Sequence, residues 1–296
     1  MLTLDIIIVN YNSTEYLTTC LLSLAKAMQG YSRTIFIQDN ASTDCLDNFS
    51  TDFPEVVLTL NKQNLGFAKG VNQALKQASG SYILLLNPDT YITDNFFQSA
   101  VEYMEKHVDI GIIGPKILDT DGRLQNSARA FPNLLTAFFG RTSLFSKIFP
   151  NNPITLKNLS SLQSDGKTPM EVDWVSGACM IVRRKAVEEV GLLDERFFMY
   201  WEDADWCRRM WKHRWKVIYY PEIFVYHHTG ASSKKNICRS SLEFHKSVYR
   251  LFDKYLTPSL WFVKPFVICG LSIRLLFVLL SHFITAIKNI AKTENN

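Results

Sequence analysis

The N-terminal third of the chain alternates short apolar runs with amphipathic stretches. Residues 4–9 are apolar and rich in β-branched side chains, a pattern typical of a buried strand. Residues 14–28 and 67–78 instead carry apolar positions at helical spacing. Because strands alternate with helices, the sequence predicts an α/β fold with a doubly wound, mostly parallel central sheet. Further apolar runs predict strands at 34–37, 56–60 and 82–86.

Polar residues follow the ends of these predicted strands. They form three pairs along the chain, namely Asn10 with Asn12, Asp39 with Asn40, and Asn87 with Asp89. The carboxyl ends of parallel strands meet at one edge of a sheet, and open α/β sheets bind their ligands at that edge. The pattern therefore predicts a ligand site built from these residues.

The second half of the chain is less regular. Residues 131–170 mix Asn, Ser and Pro with Phe and Leu, and we interpret them as an insertion that faces a substrate or a membrane. Around this insertion the pattern predicts strands at 110–113, 171–182, 215–220 and 223–227, and helices at 202–213 and 241–256.

Composition narrows the class of protein. A chain of 296 residues with 47% hydrophobic residues suits one domain and an appendage. A net charge of +4 is too mild to indicate a nucleic-acid-binding protein. The six cysteines are scattered without a CxxC pair, which favours reduced thiols in the cytosol. No signal peptide precedes the first predicted strand, so we expect the catalytic part to face the cytoplasm.

The C-terminal tail predicts contact with a membrane. We divide the chain into a catalytic domain, 1–256, and an apolar, amphipathic helical tail, 257–296. Arg274 interrupts the apolar run, which makes a spanning helix costly. The polar residues fall on one stripe, which favours a helix lying in the membrane interface with that stripe toward water. A spanning helix and a protein contact are the alternatives. The stripe comprises Arg274, Ser281, His282, Thr285, Lys288 and Lys292.

Six short motifs follow one another along the chain. They are VNYN at 9–12, DNASTD at 39–44, NLGFAKGVN at 64–72, LNPD at 86–89, WVSGA at 174–178 and FMYWEDAD at 198–205, with His227 after them. Together they resemble glycosyltransferase family 2, whose members have the GT-A fold. The resemblance covers residues 4 to about 250 and is strongest toward bacterial rhamnosyltransferases of cell-surface polysaccharide synthesis. It implies a Rossmann-like nucleotide-binding half and an inverting enzyme that uses a dTDP- or UDP-linked sugar.

The resemblance implies a donor site along the first four motifs. Asp39 at a strand end is suited to accept the imide N–H of uracil or thymine. The alternative is an N-terminal cap for the following helix, for which Ser42 or Thr43 is the better candidate. Lys69 lies in the first turn of a predicted helix, where phosphate oxygens are favoured, and its alternative is a solvated surface lysine. The full expected donor set is Val9, Asn10, Asn12, Asp39, Asn40, Lys69, Asn72 and Asn87.

The resemblance also implies a divalent cation, Mg²⁺ or Mn²⁺. Asp89 stands where the family's Asp-X-Asp motif places its metal ligand, and His227 is implied as the second protein ligand. Asn87 replaces the first Asp of the motif, and an amide binds a hard cation less strongly than a carboxylate. The alternative for Asp89 is an ordinary turn residue after Pro88.

The resemblance assigns catalysis to two adjacent acidic residues. Asp203 is the expected general base that deprotonates the acceptor hydroxyl, and Glu202 is expected to orient the acceptor. The alternative is that both merely complement the positive end of a helix. Trp174, Gly177 and Trp201 complete the expected acceptor site, because flat aromatic faces suit sugar rings.

The sequence leaves three functions open. The first is an inverting glycosyltransferase acting on a lipid-linked glycan at the cytoplasmic face of a membrane. The second is a catalytically inactive nucleotide-sugar-binding or scaffold protein, which Asn87 favours. The third is a sugar-phosphate nucleotidyltransferase, although no basic, Gly-rich loop follows the first strand.

Overall fold

The computed structural model describes residues 3–28, 30–44, 46, 49–132, 159–228 and 237–293. Most of the predicted insertion at 131–170 lies outside these residues. The strands are β1 (Thr3–Asn10), β2 (Ser32–Asp39), β3 (Val56–Leu60), β4 (Tyr82–Leu86), β5 (Thr90–Ile92), β6 (Ile110–Leu118), β7 (Leu124–Gln125), β8 (Ala128–Arg129), β9 (Met170–Glu171), β10 (Trp174–Val175), β11 (Cys179–Arg183) and β12 (Lys216–His227). The helices are α1 (Thr14–Ala27), α2 (Phe49–Asp52), α3 (Phe67–Leu75), α4 (Phe96–Lys106), α5 (Arg184–Val190), α6 (Glu202–Lys212), α7 (Ile237–Tyr255) and α8 (Lys264–Thr293), with 3₁₀ turns at Ser160–Gln163 and Pro258–Val263.

One large sheet organises the fold, with the strand order β3-β2-β1-β4-β11-β6-β12-β5. Strands β3, β2, β1 and β4 run parallel, as the alternating pattern predicts. Strand β11 enters antiparallel between β4 and β6, and β12 returns parallel to β6. The ends of β1, β2 and β4 therefore meet at one edge of the sheet, which is the edge where the sequence predicts a ligand.

Helices cover both faces of the sheet, so the doubly wound prediction is confirmed. On one face, Leu17 and Leu21 of α1 and Phe97 of α4 are buried against the strands. On the other face, Val71 of α3 and Trp206 of α6 fill the second apolar layer. These four helices each bury the apolar side chains on one face, and burial of such large side chains stabilises the layers by roughly 1.5–3 kcal/mol per residue.

Strand β12 is longer than the sequence indicates. We expected two strands, 215–220 and 223–227, but one strand spans Lys216–His227 with an irregularity in its pairing to β6 between Tyr220 and Phe224. Pro221 lies in this irregularity. A proline has no N–H for the ladder, so it is accommodated where the regular pairing is interrupted.

Helix α7 is attached to the body of the fold through its polar side chains. The Ser247 hydroxyl donates to the backbone carbonyl of Met199 at 2.9 Å. At the end of the helix, Lys254 and Tyr255 both contact the fully buried carboxylate of Asp205. Helix α8 then packs along α7.

The tail forms the predicted helix, and one residue of the expected polar stripe departs from it. The guanidinium of Arg274 lies 5.5 Å from the ring centre of Phe244 in α7, and the residue is only partly exposed, because α8 packs along α7. Large apolar side chains also lie on the outside, including Phe266 and Phe277 at 74% and 66% exposure. The stripe residues that are exposed as expected are Ser281, His282 and Thr285. By length and composition, Pro258–Thr285 could cross a membrane.

Candidate active site

The ends of β1 and β2 join in a buried polar cluster. Asn10 and Asp39 are neighbours in the parallel register, and the Asn10 amide donates to Asp39 Oδ1 at 2.8 Å. The Ser42 hydroxyl donates to the same oxygen at 2.5 Å, and its backbone N–H donates to Oδ2 at 2.9 Å. Asp39 is only 3% exposed. Its carboxylate therefore organises the loop after β2, and Oδ2 retains acceptor capacity for a base.

Asn12 and Asn40 shape the loops around this cluster. Asn12 adopts a positive φ of 52° and accepts the backbone N–H of Thr43 at 2.8 Å. The Asn40 side chain donates to the carbonyl of Gly66 at 3.2 Å, next to the start of α3. Both side chains connect backbone segments that border the sheet edge.

Asn72 has a different role from the one expected. Its buried side-chain amide donates to the Leu193 carbonyl at 2.9 Å and accepts the Leu193 N–H at 3.0 Å. The amide satisfies a backbone pair that would otherwise be buried without partners. We therefore leave Asn72 out of the proposed donor site.

Helix α3 approaches the end of β1 through small residues. A side chain at Gly70 would press on Val9, because an added Cβ would lie 3.0 Å from both Val9 methyls. Gly66, just before the helix, has φ 85° and ψ 173°, a conformation available essentially only to glycine. Lys69 is exposed in the first helical turn, so its ammonium is free to move toward a phosphate.

Asp89 and His227 lie together at the end of the sheet. Antiparallel pairing places His227 opposite Thr90, which follows Asp89. The imidazole Nε2 is 3.2 Å from Asp89 Oδ1 and 3.3 Å from the amide nitrogen of Asn87. Three residues that the sequence associates with the metal and donor are thus in one corner.

Gln125 is a member of this corner that sequence reasoning missed. Its amide nitrogen donates to the His227 carbonyl at 2.8 Å, and its amide oxygen lies 2.9 Å from His227 Nδ1. Nothing in the sequence marks this glutamine, because β7 is only two residues long and its pairing depends on a turn.

The chemistry of this corner fits a divalent cation. Asp89 Oδ1 is buried and has no hydrogen-bond partner among the described residues. A buried carboxylate oxygen without a donor is costly, and a bound cation would satisfy it. The part of the chain that the structure describes contains no group of three acidic, His or Cys residues suited to a metal. Phosphate oxygens and water would therefore have to complete the coordination shell.

Asp203 and Glu202 begin helix α6. Asp203 Oδ2 accepts the backbone N–H of Gly177 at 2.9 Å, and Oδ1 accepts that of Ala204 at 2.8 Å. Glu202 is 6% exposed, and its Oε2 is buried without a hydrogen-bond partner in the described structure. Gly177, a residue of the expected acceptor site, thus holds the Asp203 carboxylate through its backbone N–H.

The two carboxyls differ in how well they hold a charge. Burial and, to a smaller extent, the Asp203 charge raise the pKa of Glu202. Burial also raises the pKa of Asp203, but the N–H groups of Gly177 and Ala204 and the charge of Arg129 act in the opposite direction. Asp203 is therefore the better carboxylate at neutral pH, and Glu202 the better proton-carrying partner.

Aromatic side chains border the acids. The rings of Trp174 and Trp201 lie 5.8 Å apart, and Phe244 of α7 lies 6.0 Å from Trp201. Tyr200 and Trp201 both have positive φ values, 67° and 70°, which are unusual for bulky residues and cluster at functional sites. Trp201 Nε1 is buried and has no acceptor within the described ranges. Phe244 was not predicted, since its role depends on where α7 docks.

Solved structures with the same architecture are glycosyltransferases. A mannosyltransferase from Pyrobaculum calidifontis, solved with GDP-Man and Mn²⁺, superposes with a TM-score of 0.57 at 15% identity and covers 97% of this chain and 75% of its own. GalNAc-T7, solved with UDP, GalNAc and Mn²⁺, gives 0.58 at 16% identity, over 78% of this chain and 44% of its own. These likenesses identify the fold of the chain as the GT-A fold.

Sequence comparison gives the family. The model for glycosyl transferase family 2 matches residues 5–191, and the chain belongs to that family. It is 30% identical to an N-acetylglucosaminyl-diphospho-decaprenol L-rhamnosyltransferase of Mycobacterium tuberculosis, over 83% of this chain and 82% of the relative. It is 24% identical to the dTDP-rhamnosyl transferase RfbF of Shigella flexneri, over 83% and 75%. The resemblance found from the motifs, including its leaning toward rhamnosyltransferases, is confirmed.

Proposed function

We propose that this chain transfers L-rhamnose from dTDP-rhamnose to a hydroxyl of a lipid-diphosphate-linked glycan, at the cytoplasmic face of a membrane, in the synthesis of a cell-surface polysaccharide. The names of the two rhamnosyltransferase relatives support the donor and acceptor classes. The observation that carries the transferase reaction is the arrangement of Asp203, fixed by two backbone N–H groups beside the buried Glu202.

In the proposed reaction, Asp203 acts as the general base. The acceptor hydroxyl oxygen attacks the anomeric carbon, its proton passes to the Asp203 carboxylate, and the bond to the nucleoside diphosphate breaks on the opposite side. A single displacement of this kind inverts the anomeric configuration. Burial keeps Glu202 protonated. Its Oε2 and the Trp201 N–H have no hydrogen-bond partner among the described residues, and acceptor oxygens would satisfy both.

Asp89 and His227 would hold a Mg²⁺ or Mn²⁺ ion beside the donor. When bound, the ion would offset the negative charge that develops on the leaving diphosphate. The Asp39 cluster would receive the base, and Lys69 would approach the phosphates from the first turn of α3.

The exposed apolar face of α8 supports membrane attachment. Burying it in lipid would release its large side chains from water, and Arg274 lies one aromatic ring away from Trp201. The tail would thus lie beside the acceptor site, where a lipid-linked substrate has its glycan.

The test is an assay of donors against a polyprenyl-diphosphate-linked GlcNAc acceptor, with Asp203→Asn protein as the blank. We expect mass spectrometry to detect one added deoxyhexose with dTDP-rhamnose, and NMR to show an anomeric configuration opposite to that of the donor. Transfer of a hexose from UDP- or GDP-sugars instead would refute the donor assignment. Tight donor binding without any transfer would favour the inactive binding protein that Asn87 suggests.

A further inference from the structure

We propose that Gln125 is a positioning residue that fixes the tautomer of His227, so that the Nε2 lone pair faces the ion site. The inference deepens the proposed metal-dependent function and rests on it. It is carried by the two hydrogen bonds that link Gln125 to His227, one to the backbone and one to the ring.

The backbone bond determines which way the Gln125 amide points. A carbonyl oxygen can only accept a hydrogen bond, so the group 2.8 Å from the His227 carbonyl must be the NH₂ of Gln125. The reverse orientation would set two acceptor oxygens against each other. The amide oxygen is therefore the group that faces the imidazole.

The amide orientation in turn determines the tautomer. An amide oxygen cannot donate, so the Nδ1 atom 2.9 Å from it must carry the proton. In a neutral imidazole, Nε2 then has the lone pair. Without an ion, the Asn87 amide nitrogen, 3.3 Å from Nε2, can donate to that lone pair, and a bound cation would take its place.

The resulting pair of ligand atoms is suited to a cation. A lone pair on Nε2 and the carboxylate oxygen Asp89 Oδ1 face each other across 3.2 Å, and that oxygen has no hydrogen-bond partner among the described residues. Two acceptors at this separation repel, and a cation between them would remove the repulsion. Metal-binding histidines commonly donate their second N–H to an oxygen, and loss of that partner weakens metal binding.

Gln125 differs in charge from the carboxylate that often has this role. An amide fixes the ring without adding a negative charge, and Asn87 likewise contributes none. Asp89 is then the one anionic ligand that the described residues of this corner supply. We therefore expect the ion to bind weakly to the free protein and more tightly when a nucleoside diphosphate supplies further oxygens.

The first test is ¹⁵N NMR of histidine-labelled full-length protein, with His227→Ala used to assign the His227 signals. We expect Nδ1 to carry a proton in the wild-type protein and the Nε2–H form to appear in Gln125→Leu. A wild-type ring that carries its proton on Nε2 alone would overturn the proposal.

The second test is Mn²⁺ binding, measured by electron paramagnetic resonance with and without dTDP. Gln125→Leu should weaken Mn²⁺ binding by roughly 10–100-fold. Gln125→Glu keeps an acceptor toward Nδ1 but sets its second oxygen against the His227 carbonyl, so it should recover only part of the affinity. Gln98→Leu, at an exposed glutamine of α4 bonded to Glu102, is the matched control and should leave it unchanged.

The outcomes separate this inference from the proposed function. Failure of the wild-type protein to bind Mn²⁺ even with dTDP would count against the metal-dependent reaction itself. Wild-type affinity in a folded Gln125→Leu protein, with Asp89→Ala abolishing binding, would refute the role of Gln125 alone. If Gln125→Leu does not fold, the wild-type tautomer measured by NMR still decides the question.

Discussion

The backbone N–H of Asn87 donates to the carbonyl oxygen of Ala178 across 2.9 Å, and this bond joins the two halves of the candidate site. Asn87 belongs to the corner with Asp89 and His227. The residue before Ala178 is Gly177, whose N–H holds Asp203. The proposed leaving-group site and the proposed base are therefore linked through the adjacent residues Gly177 and Ala178. The antiparallel insertion of β11 beside β4 brings the two together.

Asp203→Asn should reduce turnover by about 10²–10⁴-fold, because the amide keeps the size of the side chain and loses its ability to accept a proton. Donor affinity, measured by calorimetry, should change little. Glu202→Gln keeps a group able to donate to the acceptor and should reduce turnover less. A larger loss for Glu202→Gln would show that the two acids have exchanged roles.

The stability of the protein should depend on pH through Glu202. Burial raises its pKa above the ordinary value of 4.5, so the folded state binds a proton that the unfolded chain releases. The stability that this group contributes is therefore fully present below the ordinary pKa and is lost as pH rises through the raised pKa. The loss is at most ~1.4 kcal/mol for each pH unit that separates the two pKa values. Glu202→Gln cannot ionise and escapes this loss.

The melting temperatures of wild-type and Glu202→Gln protein, compared over a pH series, test this. The advantage of the variant should grow as pH rises above about 4.5, the pKa of an unperturbed glutamate. A constant difference across the series would mean that Glu202 ionises at its ordinary pKa despite its burial.

Gly66→Ala should destabilise the protein more than a change of conformation alone explains. Its Cβ would collide with the Phe198 carbonyl oxygen, which accepts the Phe67 N–H at 2.7 Å. Gly191 is the matched control: its φ 85° and ψ 178° are nearly those of Gly66, but an added Cβ meets nothing within 4 Å. Both variants incur a backbone cost of about 1–3 kcal/mol.

Denaturant unfolding of the two variants measures the difference. We expect Gly66→Ala to lose clearly more stability than Gly191→Ala, and to lose turnover because the displaced segment leads into Tyr200 and Trp201. Equal losses would show that the contact between α3 and the Phe198 carbonyl yields without cost.

Exposed phenylalanines on α8 should determine membrane attachment. The double variant Phe266→Ser and Phe277→Ser removes two side chains, each contributing roughly 1.5–3 kcal/mol when buried in lipid. Sedimentation with anionic vesicles should fall sharply, and turnover should fall far more on a lipid-linked acceptor than on a short-chain soluble one. Leu22→Ser, at an apolar residue of α1 that is 59% exposed, should change neither.

Equal sedimentation of the variant and wild-type protein would place the membrane contact elsewhere. Truncation after Leu256 is a complementary test, expected to release the chain into the soluble fraction with donor binding intact. Because α8 packs on α7, the truncation also uncovers the face of α7 around Phe244. The serine variant avoids that complication.

The fold was predictable because its signals are local. The apolar run of β1 and the amphipathic spacing of α3 can each be recognised from about ten neighbouring residues. The polar residues at strand ends were also visible, and the meeting of Asn10 with Asp39 follows from parallel pairing alone.

The parts that sequence reasoning missed depend on long-range docking. Asn72 looks like a donor residue within its motif, but its partner Leu193 is 121 positions away. Gln125 acts on His227 across 102 positions, and Arg274 faces Phe244 only because α8 packs on α7. No periodicity or propensity within a short window encodes such contacts.

The irregularity in β12 between Tyr220 and Phe224 has a consequence for how this site could change over evolution. Side chains alternate along a strand, so the length of that irregularity decides which of two consecutive histidines faces Asp89. Deleting one residue there would present His228 to Asp89, and inserting one would present Tyr226, although every ligand would still be encoded in the gene. The site therefore depends on the register of β12 as well as on the identity of its side chains.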